Sequence, residues 1–210
     1  RVDAHGSVDQ VYVLGAPARA KATLRDAAGT RVARGTVDDL GGLVFRDVDP
    51  GSGYRVAVAG LKTSAPLTVR AADATPAQSW YRKHPIPAGG YGYLTTRDGT
   101  QLSVNVSLPG PADEGPYPTL LEYSGYDPSN PTASLNLFQL LANAQGYAYV
   151  GVNMRGTGCS GGAFDFFEPL QSLDGYDVIE TVAAQPWVRG GKVGMVGTSY
   201  NGTLPIAALL

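Results

Sequence analysis

The spacing of hydrophobic positions changes about 90 residues into the chain. Before that point, short apolar or alternating runs are separated by turn sequences such as DAAG at 26–29 and DPGSG at 49–53. The runs lie at residues 11–14, 20–24, 43–45, 54–58 and 67–69. Short strands with turns at this spacing are typical of a small β-sandwich. We therefore predict an all-β accessory domain over residues 1–75.

From residue 90 onward, the pattern alternates between strands and helices. Strands are predicted at 91–96, 102–108, 119–123 and 147–153, and helices at 135–144 and 173–185. The Asp-Gly pair at 98–99 favours a hairpin between the first two strands. A hairpin followed by β-α-β-α-β predicts the first half of an α/β-hydrolase fold over 90–210, with a mixed, mostly parallel sheet and helices on both faces. Residues 76–89 are rich in Ala and Pro and are predicted as a linker.

A candidate nucleophile lies in residues 191–202, GKVGMVGTSYNG. Residues 193–196 are predicted as a buried strand and 206–210 as the start of a helix. Between them, Ser199 has small neighbours, as a strained strand-to-helix turn requires. A helix start also directs backbone N–H groups at a developing oxyanion. Asn201 replaces the second glycine of the G-x-S-x-G pattern, so the motif alone leaves open an inert serine in a Gly-rich turn.

Composition excludes several function classes. The chain has 210 residues, 43% of them hydrophobic and 16% charged, with a net charge of -2. This balance is that of a globular protein, and it predicts neither a nucleic-acid partner nor an anionic membrane partner. No apolar stretch approaches the ~18 residues of a membrane span. The chain begins at Arg1 without a visible leader, which fits either the removal of a targeting segment or an arbitrary starting point. We lean towards a secreted or cell-envelope protein.

The residues that commonly hold metals or cofactors are sparse. The single cysteine, Cys159, cannot form an internal disulfide, and we interpret it as a structural or wall residue. His5 is interpreted as solvated and His84 as part of the linker. A calcium cluster could be imagined from four turn aspartates, but such residues usually bond their own backbone. Those four are Asp38, Asp39, Asp47 and Asp49. We expect no cofactor and no metal.

Two sets of segments carry family resemblances. The strand and turn order of residues 1–75 resembles immunoglobulin-like or transthyretin-like modules of extracellular enzymes. Six further segments follow one another in order: 90–102 (GYGYLTTRDGTQL), 120–127 (LLEYSGYD), 154–162 (MRGTGCSGG), 174–180 (DGYDVIE), 185–188 (QPWV) and 191–202. Together these six resemble the Xaa-Pro dipeptidyl-peptidase and cocaine-esterase family of serine hydrolases.

The resemblance implies catalytic roles for three residues. The elbow of that family reads G-x-S-Y-x-G, which Asn201 fits. Ser199 is then the nucleophile, and the backbone N–H of Tyr200 is one oxyanion donor. The second donor is a tyrosine hydroxyl just after the third strand, a position that matches Tyr126. The alternative for Tyr126 is a packing aromatic. The implied substrates are small esters, amides or peptides, including Xaa-Pro dipeptides and β-lactam side chains.

The sequence lacks the rest of a catalytic triad. In α/β-hydrolases an acid and then a histidine follow the serine, and residues 200–210 contain neither. The loop at 155–162 lacks the lysine of a phosphate-binding loop and is interpreted as a tight structural turn. We expect the triad acid and histidine in a C-terminal remainder or a companion chain. The alternative is a catalytically inactive fragment whose β-sandwich is a binding or docking module.

Overall fold

The chain forms two compact units in the computed structural model, Arg1–Thr75 and Pro76–Leu210. The structure describes residues 1–132 and 136–198. Ser199, Tyr200 and the predicted helix at 206–210 therefore lie outside the described residues. No helix within the described ranges is both long and apolar enough to cross a bilayer.

The first unit is all-β. Its strands are β1 (Asp3–Gly6), β2 (Gln10–Leu14), β3 (Lys21–Arg25), β4 (Arg31–Thr36), β5 (Leu43–Arg46), β6 (Gly51–Val58) and β7 (Leu67–Val69). They form two antiparallel sheets, ordered β1-β2-β5 and β4-β3-β6-β7. One hydrophobic core joins inward residues of both sheets, including Val13 of β2 and Leu24 of β3. The two sheets therefore bury a common core, as in a sandwich.

Two strands of this unit were absent from the sequence prediction. Neither β1, with the sequence DAHG, nor β4, with RVARGT, has a run of apolar residues. Both lie at sheet edges, where each pairs with a single neighbour of its own sheet. Edge strands bury less surface than central strands, so their sequences show the hydrophobic pattern less clearly.

Within the described residues, the second unit contains one mixed sheet and three helices. Its strands are β8 (Gly90–Thr95), β9 (Gln101–Ser107), β10 (Tyr117–Ser124), β11 (Ala148–Asn153) and β12 (Val188–Met195). Its helices are α1 (Gln78–Arg82), α2 (Leu137–Ala144) and α3 (Pro169–Ala183), and residues Ala112–Glu114 form a 3₁₀ turn. The sheet order is β12-β10-β11-β9-β8. Strand β10 is parallel to β11 and β12, whereas β8, β9 and β11 pair in antiparallel fashion.

The two longer helices pack on different sides of the sheet. On one side, apolar strand residues such as Leu121 and Val150 form a core with Val178 and Val182 of α3. On the other side, α2 bonds polar strand residues, since Asn143 accepts a hydrogen bond from Ser107 (2.6 Å). Because alternate strand residues point to opposite faces, these two sets lie on opposite sides of the sheet. The leucines of α2, which include Leu137, Leu140 and Leu141, are exposed.

The helix boundaries differ from prediction for local reasons. Asn136 caps α2, because its side chain accepts hydrogen bonds from the N–H groups of Phe138 and Gln139. Helix α3 begins earlier than predicted, with Pro169 in its first turn, where a missing N–H group is tolerated. The segment at 76–89 contains α1, whose Tyr81 is buried and donates a hydrogen bond to Asp177 of α3 (2.8 Å).

Candidate active site

The carboxyl ends of three parallel strands meet at one edge of the sheet. Leu121 of β10 pairs with Met195 of β12, and the N–H of Val196 donates to the carbonyl of Leu121 (2.9 Å). On the other side of β10, the N–H of Met154 donates to the carbonyl of Ser124 (3.0 Å). The segments that follow β10, β11 and β12 therefore leave the same edge, which is the usual place for a site in such sheets.

Tyr126 lies in the segment after β10. Its backbone N–H donates to the side-chain hydroxyl of the buried Ser124 (2.8 Å), which fixes the start of the loop. Its side chain is 66% exposed. The side chain is therefore not part of the buried core of the described residues. Its role as an oxyanion donor stays a prediction.

Asp127 fixes the backbone beside Tyr126. Its φ of 67° lies in the left-handed region, which aspartate and asparagine tolerate better than most residues. One carboxylate oxygen accepts a hydrogen bond from the Asn153 amide (2.8 Å), and the other accepts one from the Asn130 amide (2.7 Å). Asn153, which is fully buried, accepts in turn from the N–H (3.0 Å) and hydroxyl (2.6 Å) of Ser129. These bonds join the loop after β10 to the end of β11.

Gly158 leaves space for this polar pair. Its φ is +53°, and a Cβ atom added to it would lie 2.2 Å from the amide nitrogen of Asn153 and 2.5 Å from Oδ1 of Asp127. The loop at 155–162 also closes on itself, since the N–H of Gly156 donates to the carbonyl of Gly161 (2.8 Å). Its interpretation as a tight structural turn agrees with this geometry. Cys159 of the same loop is an exposed free thiol.

Arg155 is the first residue of that loop and is fully buried. Its ion pairs fix the start of the loop. Its Nε and Nη2 atoms donate to the two carboxylate oxygens of Asp174 on α3, at 2.7 Å each. Its Nη1 atom donates to Asp98 in the β8–β9 turn (3.0 Å). Burial opposes the charge of Arg155, but the two carboxylates outweigh it and hold its pKa well above its usual value.

A second buried arginine lies beside the first. Arg97 donates to Asp177 from its backbone N–H (2.8 Å) and from its guanidinium (2.9 Å for Nη2). Two arginines thus share three carboxylates, those of Asp98, Asp174 and Asp177, which leaves one negative charge in excess. Burial, together with the nearby Asp98 and Asp177, raises the pKa of Asp174 to about 6, although Arg155 acts in the opposite direction.

The strand that leads to the candidate nucleophile is less buried than predicted. Val193, Met195 and Val196 are half-buried, because within the described residues β12 lies at the edge of the sheet. The structure describes this segment as far as Thr198, which is exposed. It thus brings Tyr126 and the approach to Ser199 to one edge, while Ser199 and Tyr200 themselves lie outside the described residues.

The residues that support this edge had no individual role predicted from the sequence, although Arg155 and Gly158 lie in the loop predicted as a tight turn. The supporting residues are Arg97, Asp127, Asn153, Arg155, Gly158, Asp174 and Asp177. Most of them lie inside the segments that resemble the family, so the sequence could have marked them as candidates for a structural role. The sequence does not show which of these residues pair with each other. Within residues 1–132 and 136–198, no group of three or more His, Cys, Asp or Glu side chains is arranged to hold a metal.

Known relatives match about half of the chain. Among curated proteins, a candidate serine esterase of Mycobacterium bovis is 29% identical over 129 residues, which cover 53% of this chain and 20% of the relative. A candidate serine esterase of Mycobacterium tuberculosis matches to the same extent. The chain therefore spans about one-fifth of the length of these relatives.

A solved structure supports the fold. The CocE/NonD family hydrolase SACOL2612 of Staphylococcus aureus superposes with a TM-score of 0.50 at 24% sequence identity, covering 57% of this chain and 24% of that one. Residues 98–210, which are more than half of the chain, match the family profile of the X-Pro dipeptidyl-peptidases, family S15. The chain therefore belongs to this family of serine hydrolases and esterases.

Proposed function

We propose that the chain is the N-terminal part of a serine hydrolase that cleaves ester or amide bonds, with Ser199 as its nucleophile. The observation that carries the proposal is the pairing of Leu121 with Met195 on adjacent parallel strands. Tyr126 follows the first of these residues by a short segment, and Ser199 follows the second. Side chains that follow neighbouring strand ends can act on one carbonyl group, and this strand pairing supports the proposal.

The mechanism assigns one task to each residue. The hydroxyl oxygen of Ser199 attacks the carbonyl carbon, and its proton passes to a histidine beyond residue 210. The Tyr126 hydroxyl and the Tyr200 N–H donate hydrogen bonds to the oxyanion of the tetrahedral intermediate. The intermediate expels an alcohol or amine, which takes the proton from the histidine. Water then hydrolyses the acyl-enzyme and frees Ser199.

The proposed substrates are small esters, amides or peptides. The names of the mycobacterial relatives favour an ester, whereas the family profile bears the name of an Xaa-Pro dipeptidyl-peptidase. We favour a general ester or amide hydrolase, either a cocaine-esterase-like acyl hydrolase or an Xaa-Pro dipeptidyl-peptidase. The triad acid and histidine come from a C-terminal remainder or a companion chain, and the protein is secreted or held in the cell envelope.

The domain arrangement belongs to the same proposal. Residues 1–75 form an accessory domain, 76–89 join it to the next, and 90–210 form the first half of the catalytic domain. The strand orders β1-β2-β5 and β4-β3-β6-β7 support the immunoglobulin-like alternative, since that fold also divides its strands between two sheets in a Greek-key order. A parallel bridge between Val8 and Arg70, which follows β7, adds to this support.

The decisive experiment compares variants of the full-length enzyme in an ester-hydrolysis assay. We expect Ser199→Ala to lower kcat by roughly 10⁶-fold. Tyr126→Phe should lower it by about 10²- to 10³-fold, because one oxyanion donor is lost. Tyr93→Phe is the matched control, since Tyr93 lies on β8 and is also exposed (54%). An unchanged rate in Tyr126→Phe removes Tyr126 from the mechanism.

A fluorophosphonate probe distinguishes the hydrolase from the inactive-fragment alternative. Full-length enzyme should be labelled at Ser199, whereas the 210-residue chain should show little or no labelling. The reason is that nothing after Ser199 in this chain can accept its proton. Strong labelling of the 210-residue chain contradicts the proposed role of a distant histidine.

A further inference from the structure

Five basic side chains share the outer face of the four-stranded sheet in the first unit. Within this sheet, Leu24 and Val56 point into the core, so their strand neighbours point outward. The outward set is Lys21 and Arg25 of β3, Arg31 and Arg34 of β4, and Arg55 of β6, all of them exposed. They are far apart in the sequence, and strand pairing brings them together.

The strand register places like charges opposite each other. A bulge in the β3–β4 ladder between Leu24 and Arg25 shifts the register, so that Arg25 pairs with Arg31 of β4 rather than with Val32. On its other side, Arg25 pairs with Arg55 of β6. Three arginines therefore lie side by side on three neighbouring strands and form a row across the sheet. Like charges directly opposite one another destabilise a sheet. Such a row is unfavourable for folding, which points to a role in binding.

No carboxylate neutralises this face within the fully described first unit. Lys21 donates to the Thr36 hydroxyl (2.8 Å), while Arg25 and Arg55 donate to the carbonyls of Gly29 (2.8 Å) and Ser64 (3.2 Å). The nearby acidic side chains have other partners. Asp26 accepts from the Thr30 N–H (2.8 Å), Asp38 from the Gly42 N–H (2.7 Å), and Asp39 from Arg19 (2.6 Å).

A surface groove lies over the paired strands β3 and β4, beside the arginine row. It has a volume of about 610 Å³ and is lined by residues 21–23 and 34–36. Lys21 and Arg34 provide its charges, and Thr23 and Thr36 provide hydroxyl groups. The first unit as a whole carries ten Lys and Arg residues against eight Asp, whereas the rest of the chain carries six against ten acidic residues. The positive charge is thus concentrated in the β unit.

We propose that this outer face, defined by Lys21, Arg25, Arg31, Arg34 and Arg55, binds a linear acidic polysaccharide. Carboxylate or sulfate groups pair with the guanidinium groups, and sugar hydroxyls bond the two threonines. The outward positions of β3, β4 and β6 hold no aromatic side chain on which nucleic-acid bases could stack. The charged and hydroxyl side chains lie in a strip along the paired strands β3 and β4, which matches a linear polymer better than a planar bilayer. This inference does not depend on the hydrolase proposal.

Binding of the 210-residue chain to a polygalacturonate oligosaccharide and a heparin oligosaccharide tests the proposal. Titration calorimetry near 0.15 M salt should show binding that weakens as salt is added. The variant Lys21→Gln/Arg34→Gln should raise Kd by at least about tenfold. The control Arg46→Gln/Lys62→Gln removes the same charge from β5 and from an exposed loop, and it should change Kd by less than about twofold.

Three results overturn the proposal. One is no binding of either oligosaccharide. The second is equal weakening by the two double variants, which means that net charge alone drives binding. The third is tighter binding of single-stranded DNA or phosphatidylserine vesicles, which means a different class of partner. If Lys21→Gln/Arg34→Gln does not fold, Arg31→Gln/Arg55→Gln must give the same tenfold loss, and otherwise the proposal fails.

Discussion

The amide of Asn153 donates a hydrogen bond of 2.8 Å to Asp127, and this contact joins the ends of two adjacent parallel strands. Asn153 is the last residue of β11, and Asp127 lies just beyond β10, directly after Tyr126. Since Asp127 holds a left-handed backbone conformation, the contact also fixes the direction in which the chain leaves Tyr126. The geometry of the proposed oxyanion donor therefore depends on a buried amide in the neighbouring strand.

Exchanging donor and acceptor tests this contact. Asn153→Asp places two carboxylates together and should lower the free energy of unfolding by about 3 kcal/mol. The double variant Asn153→Asp/Asp127→Asn restores one donor and one acceptor, so most of the stability should return. Tryptophan fluorescence during urea unfolding is a suitable measurement, because Trp80 and Trp187 both belong to the second unit. A double variant no more stable than the single one contradicts the pairing.

Gly158→Ala should destabilise the second unit by at least about 3 kcal/mol, since it combines left-handed strain with overlap of Asn153 and Asp127. Gly146→Ala is the matched control. Gly146 also has a positive φ (+79°), but a Cβ atom there meets nothing within 4 Å. We expect the free energy of unfolding of this control to fall by only about 1 kcal/mol. Equal losses in the two variants mean that steric overlap at Gly158 contributes nothing.

The free energy of unfolding should fall as the pH rises from about 4 to 6. The pKa of Asp174 is about 6 in the folded chain against 3.8 for an unperturbed group, so in this window the folded state holds a proton that the unfolded state has lost. The expected loss is about 2 kcal/mol across the window. Asp174→Asn should remove this part of the pH dependence in urea unfolding. A pH dependence that is identical in the variant argues against a raised pKa.

Tyr81→Phe should lower the free energy of unfolding by about 1–2 kcal/mol, because the buried Asp177 carboxylate loses a donor. Tyr117→Phe provides the comparison. The Tyr117 hydroxyl donates to the Pro111 carbonyl (2.7 Å) at an exposed site, and its loss should change stability by less than about 0.5 kcal/mol. If both variants unfold at the same urea concentration as the wild type, the contact between α1 and α3 contributes little to the stability of the second unit.

The sequence predicted the strands whose burial leaves a clear pattern. The apolar run at 147–153 predicted β11, whose residues are all buried. The turn sequence at 97–100 predicted the β8–β9 hairpin. The leucines of α2 follow a helical period, but the structure leaves them exposed and uses Asn136, Gln139 and Asn143 to contact the sheet. The pattern predicted the helix but not the face that meets the sheet.

Contacts between residues far apart in the chain could not be predicted from the sequence. Arg155 and Asp98 lie far apart along the chain, and nothing in either segment indicates that they form an ion pair. The basic face of the first unit was equally hidden, since no stretch of the sequence is rich in positive charge. It depends on the register between β3, β4 and β6, and β4 itself was not predicted. Local patterns predict elements, whereas pairing decides which side chains meet.

The buried guanidinium of Arg155 has a consequence for local motion. It joins the β8–β9 turn, the end of β11 and helix α3 through bonds that are shielded from water. None of these segments can open alone without exposing an unpaired buried charge. Their slowest backbone amides should therefore exchange hydrogen for deuterium together, as one cooperative unit.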